Sequence, residues 1–239
     1  MGFPVEHGGL RVAEGIQERL KRVRDRIEAA AVRSGRLASA VTLVAVSKTI
    51  PAEVVRRAVA SGVQILGENR VQEAREKIAL VPGAAEWHLI GHLQTNKAKL
   101  AVALFSRIHS LDSIRLAREL ERHAEEAGKR LRCLVEVNLA GETQKSGEAE
   151  GEVRALLTEA SRFSHLAIDG LMIVPPFLPD PEAVRPFFRR LRLLRDQLAR
   201  EGFPLTELSM GMSHDFEVAI EEGATLVRIG TALFGSRGG

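Results

Sequence analysis

One beat repeats along the chain and limits what it can fold into. A short apolar run ends on polar or glycine residues, and an amphipathic stretch follows. Residues 41–46 form the first run and deliver Ser47 and Lys48. Later runs at 63–66, 86–90, 107–110, 131–137, 166–172, 205–208 and 225–229 end on Gly67-Glu68-Asn69, Gly91-His92, Asp112, Asn138, Met172, Ser209 to Ser213, and Gly230-Thr231. Between them, apolar residues at helical spacing predict helices over 51–61, 71–79, 96–104, 113–127, 148–163, 181–201 and 215–222, with a loop over 140–147. Ile16, Leu20, Val23, Ile27 and Ala30 predict one more helix in front, stopped at Gly35.

Strand and helix alternating in this way imply parallel pairing, because each crossover returns the chain to the same edge. Eight units of about 20 to 30 residues predict a closed (β/α)₈ barrel of the α/β class, with an extra N-terminal helix and one domain over 1–239. A doubly wound open sheet is the alternative, but it normally has fewer strands. No Gly-x-Gly-x-x-Gly follows the first run, which argues against a dinucleotide fold.

Composition excludes several classes. Every apolar run is broken by charge well before roughly 18 residues, so no membrane span is expected. Residues 1–10 carry Glu6 and His7 and do not read as a secretory signal. The single Cys133 lies in a strand-like run; it reads as a packed core thiol and fits a reducing, cytoplasmic setting. A net charge of +3 arises from 34 basic and 31 acidic residues, well mixed. Arg19, Lys21, Arg22, Arg24 and Arg26 form one basic patch, but aromatics are only 4% and none interleaves with it. We read the patch as a solvated helix face and expect no nucleic-acid partner. No His, Cys or Asp cluster has metal-ligand spacing, so no metal is expected.

In such barrels the chemistry sits at the C-terminal strand ends. A lysine at the end of a buried strand is costly, and desolvation lowers its pKa toward a free amine able to attack a carbonyl. The competing reading is that Lys48 caps the sheet and reaches solvent. At the last two ends, Ser209, Ser213, Gly230 and Thr231 offer hydroxyls and backbone N–H groups, where barrels commonly hold phosphate. Arg228, inside a strand, either pairs with Glu136 or Asp112 or faces a ligand. His88 either lines the same mouth or is a hydrogen-bonded core histidine. An amine facing a phosphate cradle suits a phosphorylated aldehyde, of which pyridoxal phosphate is the commonest cofactor. A phosphorylated sugar held by an aldolase-like lysine is the rival.

The blocks Val44-Ala45-Val46-Ser47-Lys48, Gly67-Glu68-Asn69, Trp87-His88-Leu89-Ile90-Gly91, Lys145-Ser146-Gly147, Gly170-Leu171-Met172, Leu208 to Ser213 and Val227 to Thr231 occur in order. In them the chain resembles the YggS/PROSC family of pyridoxal-phosphate-binding homeostasis proteins over about 22–235. The resemblance implies a fold type III, alanine-racemase-type barrel in which Lys48 holds pyridoxal 5'-phosphate as a Schiff base. It implies that Ser213, Gly230 and Thr231, with Ser209 close by, hold the phosphate, that Arg228 faces the pyridine nitrogen, and that Asn69 and Met212 line the pocket. Arg70 departs from the pattern, where tyrosine is more often expected, and puts the pocket rim in question.

The chain contains no tyrosine, whereas alanine-racemase-like enzymes use one from an added β-domain as the second proton-transfer group, a domain for which no room is left after Gly230. An arginine at the pyridine nitrogen also weakens the ring as an electron sink. With the resemblance, this favours a non-catalytic carrier, monomeric, buffering the cofactor or delivering it to apo-enzymes. No residue is expected to be catalytic. A fold type III enzyme such as an amino-acid racemase is the alternative.

Overall fold

Eight strands pair in sequence order and the last returns to the first, so the sheet has no free edge. They are β1 (Thr42–Val46), β2 (Ile65–Glu68), β3 (Glu86–Leu89), β4 (Arg107–Leu111), β5 (Leu131–Asn138), β6 (Leu166–Met172), β7 (Glu207–Met212) and β8 (Leu226–Ile229). Every neighbouring pair is parallel, and closure comes from β1 against β8, as in Leu43 opposite Val227. This computed structural model describes residues 15–81, 83, 85–139 and 146–235. The absence of a leader over 1–10, most of the expected loop over 140–147, and Lys145 of the Lys-Ser-Gly block therefore lie outside the described residues.

The expected frontal helix is α1 (Ile16–Arg33), which buries Leu20, Val23, Ile27, Ala30 and Ala31. Around the barrel follow α2 (Ala52–Ala60), α3 (Val71–Leu80), α4 (Ala98–Leu104), α5 (Ile114–Glu126), α6 (Val153–Ala160), α7 (Arg185–Arg200), α8 (Phe216–Glu221) and α9 (Thr231–Phe234). The basic face of α1 is more than a solvated surface. Arg19 Nε donates to the Leu233 carbonyl (2.7 Å), Arg24 to that of Gly62 (2.7 Å), and Arg26 pairs with Glu217 (2.7 Å) while lying over the Phe216 ring. These contacts tie α1 to the end of α9, the turn after α2 and the start of α8.

Strand parity sorts the core into two compartments, because successive side chains face opposite ways. Leu66, Leu89, Ile108, Val135, Leu171, Leu208 and Val227 face the helices and join Phe105, Phe188 and Phe216 in the larger cluster. The opposite parity points into the barrel, where Val44, Ile90, Leu134, Met172 and Leu226 form a small second cluster. His88, Arg107, His109, Glu136, Ser209 and Arg228 share that inward parity and are buried. The barrel interior is therefore unusually polar. Cys133 faces the outer cluster, fully buried, and burial pushes its thiol pKa up.

Two elements differ from expectation. Residues 148–163 do not form one helix: Glu148–Ala149 pair briefly with β5, a 3₁₀ turn follows, and α6 starts at Val153. The acidic run around Gly151 lacks the apolar period that a helix would bury. β7 starts at Glu207 and runs on through Met212, beyond the predicted end at Leu208, because a register shift between Ser209 and Met212 lengthens it.

Gly170 tests the closeness of β6 and β7. A Cβ there would lie 2.2 Å from the Glu207 carbonyl oxygen, a backbone atom that cannot step aside. Gly170→Ala should cost at least the roughly 1–3 kcal/mol typical of overpacking. Urea unfolding that gives an unchanged midpoint would show that the two strands are less tightly apposed than described.

Candidate functional site

The C-terminal ends of β1, β2, β7 and β8 enclose a cavity of about 350 Å³. Lys48, Asn69, Met212, Ser213, Arg228, Gly230 and Thr231 line it, so positions up to 183 residues apart in sequence converge as expected. Val46, Ile50 and Ile90 add apolar walls, and Val174 and Phe177 form an exposed apolar rim. These were missed by reading for polar residues alone. The inward parity of Val46 and Ile90 was the signal available for two of them. Arg70 caps α3, is exposed and does not line the cavity.

Gly211 shapes one end of the site. Its φ of +91° suits glycine, and a Cβ there would lie 2.5 Å from that of Ala219. With the register shift it re-aims Met212 and Ser213 toward the cavity. Buried Asp215 fixes the turn by accepting the Met212 N–H at 2.6 Å. Ser213 Oγ accepts the N–H groups of Gly230 and Ala232, both at 3.2 Å. The hydroxyls of Ser213 and Thr231 thus gather at one end of the cavity, with the Gly230 and Ala232 amides already engaged by Ser213 Oγ. A four-residue α9 has little macrodipole, so any attraction for an anion at this end would rest on those hydroxyls.

Lys48 leaves β1 on a tight turn, closed by the Ile50 N–H to the Ser47 carbonyl at 3.0 Å. Thr49 adopts φ +63°, an outlier for a β-branched residue that costs about 1–3 kcal/mol. Behind the turn lies a buried polar cluster. Lys77 Nζ donates to the Ser47 carbonyl (2.5 Å), Glu68 Oε1 (2.8 Å) and Glu73 Oε1 (2.6 Å). Ser47 Oγ donates to Glu68 (2.6 Å), and the Thr49 N–H donates to Glu73 (2.5 Å). Burial pushes the Glu68 pKa up against the pull of Lys77 and Ser47. Burial acts on Glu73 in the same direction, but the bonds from Lys77 and Thr49 outweigh it and hold that carboxyl below its usual range.

Ser209 and His88 do not line the cavity. Both sit beneath its floor, and the physical reason is the buried Arg228. Its Nη1 donates to the Ser209 carbonyl (2.8 Å) and Oγ (2.6 Å), and Nη2 donates to the Ile173 carbonyl (2.8 Å). Neither Glu136 nor Asp112 pairs with it directly; Glu136 and Asp215 act only through space. Ser209 Oγ, already an acceptor, gives its hydrogen to His109 Nδ1 (2.9 Å), and His109 Nε2 then donates to His88 Nδ1 (3.0 Å). His88 Nε2 lies 3.6 Å from the Glu86 carboxylate. Each neutral ring carries one hydrogen, and this order is assigned because it points a ring N–H of His88 toward the Glu86 carboxylate, which the reverse order would not. Burial, reinforced by Arg107 and Arg132, lowers the His88 pKa to about 3. Burial, with His88 and Arg228, carries His109 far down as well. Burial also lowers Arg228, to about 10, which leaves it a cation at neutral pH.

An amine, a buried guanidinium and an anion cradle at the mouth of a parallel eight-stranded barrel define a class, and the comparisons agree with it. The family model for the alanine racemase N-terminal domain matches residues 19–238. A protein of Aquifex aeolicus, named a pyridoxal phosphate homeostasis protein, is 49% identical over 92% of this chain and 97% of its own length. An Escherichia coli K12 protein of the same name is 39% identical over 93% and 97%. PipY of Synechococcus elongatus, 39% identical, superposes with a TM-score of 0.84 without pyridoxal phosphate and 0.82 with it bound, covering 92% of this chain and all of PipY. The chain belongs to the pyridoxal phosphate homeostasis protein family.

The imidazole pair predicts an acid sensitivity. Both rings stay neutral when folded, whereas the unfolded chain protonates them below about pH 6.5. The unfolded state then binds more protons, so stability falls as pH drops from about 6.5 toward 3, by about 1.4 kcal/mol per unit for each ring. Nitrogen-15 spectra of the two imidazoles should show no titration between about pH 5 and 8. An imidazolium signal from either ring in that window would contradict the buried relay.

Proposed function

We propose that the chain holds pyridoxal 5'-phosphate in this cavity, bonded to Lys48, and serves cofactor homeostasis without turning over a substrate. The observation that carries this reading is the convergence of one primary amine, one buried cation and a cluster of anion donors on a single cavity of about 350 Å³. That donor set fits the group. When bound, pyridoxal phosphate supplies an aldehyde that condenses with an amine and a ring that absorbs visible light. Lys48 is the amine. Ser213 and Thr231, beside Gly230, hold the phosphate end. Arg228 faces the ring nitrogen, and Asn69, Met212, Val46 and Ile90 flank the ring. Ser209 and His88 support Arg228 from below.

Several features favour retention over turnover. The chain has no tyrosine, and His88 and His109 are sealed beneath the floor in neutral form. Among the described lining residues, His214 and Asp215 are the remaining ionisable groups. His214 stacks on Phe177 at the exposed rim and bonds to the Pro179 carbonyl, while Asp215 is committed to the Met212 N–H. Arg228, a cation of pKa about 10, disfavours protonation of a ring nitrogen beside it, which weakens any electron sink. The reading includes a cytoplasmic monomer that passes cofactor to pyridoxal-phosphate-dependent apo-enzymes. Among the described residues, no helix is long and apolar enough to cross a membrane.

Purified protein should absorb in the visible, and borohydride should fix the cofactor on the peptide containing Lys48. Lys48→Ala should abolish that fixation; cofactor still trapped covalently in the variant would point to another lysine. Ser213→Ala or Thr231→Ala should weaken retention about tenfold, the loss of one hydrogen bond to a charged group, while leaving fixation intact. Transfer to an apo-enzyme should be measured beside an amino-acid screen. Turnover at enzyme-like rates would sink the carrier reading and favour a racemase.

A further inference from the structure

We propose that Lys77 and Glu73, which do not line the cavity, are positioning residues for Lys48. The proposal rests on the reading of Lys48 as the amine that bonds the cofactor aldehyde. Its basis is where their bonds fall. The Ser47 carbonyl belongs to the peptide unit that precedes the Lys48 Cα, and the Thr49 N–H belongs to the unit that follows it. Lys77 Nζ holds the first at 2.5 Å, and Glu73 Oε1 holds the second at 2.5 Å. With both flanking peptide planes pinned, the two backbone dihedrals of Lys48 are fixed, and with them the direction in which its side chain leaves the backbone.

The two holding groups are themselves fixed. An ammonium has three hydrogens, and Lys77 spends them on the Ser47 carbonyl, Glu68 and Glu73. Glu73 and Lys77 stand four residues apart on α3, so they share a helix face and brace each other at 2.6 Å. Glu68, at the end of β2, takes the Ser47 hydroxyl and anchors the same residue a second time. The turn needs outside support because Thr49 sits in a backbone region that β-branched residues avoid. A simple core ion cluster would have no reason to end on the two peptide groups flanking one lysine.

The experiment compares two ligands on the full chain. Pyridoxal 5'-phosphate can bond an amine; pyridoxine 5'-phosphate, which has an alcohol in place of the aldehyde, cannot. In Glu73→Ala and Lys77→Met, affinity for the aldehyde should fall about tenfold or more, and visible absorbance should develop more slowly. Affinity for pyridoxine phosphate should stay within about twofold of wild type. Equal losses for both ligands would assign the cluster a purely structural role, and unchanged aldehyde capture would overturn the proposal outright. Lys77→Met strands the buried Glu68 carboxylate; should it fail to fold, Glu73→Ala, on the more exposed partner, decides by the same comparison. A wild type that binds the aldehyde no better than the alcohol overturns the cofactor reading itself, before any variant is made.

Discussion

The mouth of this barrel is built around a guanidinium that is buried without a carboxylate in contact. A desolvated cation must be repaid by hydrogen bonds or it neutralises or leaves. Arg228 receives that compensation from two carbonyls and one hydroxyl, all neutral. The consequence propagates downward. Ser209, having accepted from Arg228, passes its hydrogen to His109, and His109 passes its own to His88. Substituting either histidine by an apolar residue would leave a donor stranded in the barrel, at about 1–3 kcal/mol for an unsatisfied buried group. The charge of Arg228 therefore dictates polarity two layers below the cavity.

Below that relay the interior turns ionic. Arg107 and Arg132 both reach Asp169 Oδ2, at 2.9 and 2.6 Å, and Glu207 stands 3.7 and 3.5 Å from them. Asp169 sits where the register between β5 and β6 shifts by one residue. A bulge of this kind changes which face a side chain takes. Arg107 is the buried member and depends on these carboxylates, whereas Arg132 is more than half exposed and its pairing is worth less. The cations of this layer also help to keep His88 neutral, after burial itself. The barrel's floor and its relay are thus one electrostatic unit.

Much of this was legible in the sequence. Eight apolar runs with polar ends gave the closed barrel, and the position of each end relative to its run placed Lys48, Asn69, Ser213, Gly230 and Thr231 at one mouth. What escaped has a common cause. Ser209 reads as a strand end because the apolar run stops at Leu208; the strand runs on to Met212, so Ser209 is a mid-strand residue that faces inward by simple alternation, below the mouth. His88 has inward parity at mid-strand, one position pair short of the mouth, and parity says which face a residue takes, not how deep it lies. Lys77 escaped for another reason. On its helix it reads as an ordinary i,i+4 partner of Glu73, and its bond to Ser47 spans 30 residues with no local pattern. The basic face of α1 was read as solvated because partners 191 and 214 residues away cannot be seen from the helix itself.

The same geometry bears on the proposal that a racemase-type barrel here holds a cofactor without using it. Rate acceleration requires contacts that strengthen in the transition state; contacts equal in ground and transition states only tighten binding. On the proposed reading, Lys48 on a pinned turn, Arg228 fixed by three bonds, and the Ser213 and Thr231 hydroxyls would all be contacts to the resting ligand. Nothing among the described lining residues supplies a poised acid–base pair across the cavity, since Asp215 is committed to its turn and His214 to the rim. The rim itself is open: Phe177 is 75% exposed and Val174 40%. Among the described residues the mouth is open, which on the proposed reading would suit exchange better than carbanion chemistry that needs a closed site. On the proposed reading, the features that would make this cavity a poor reactor are the ones that would let a held aldehyde be given away.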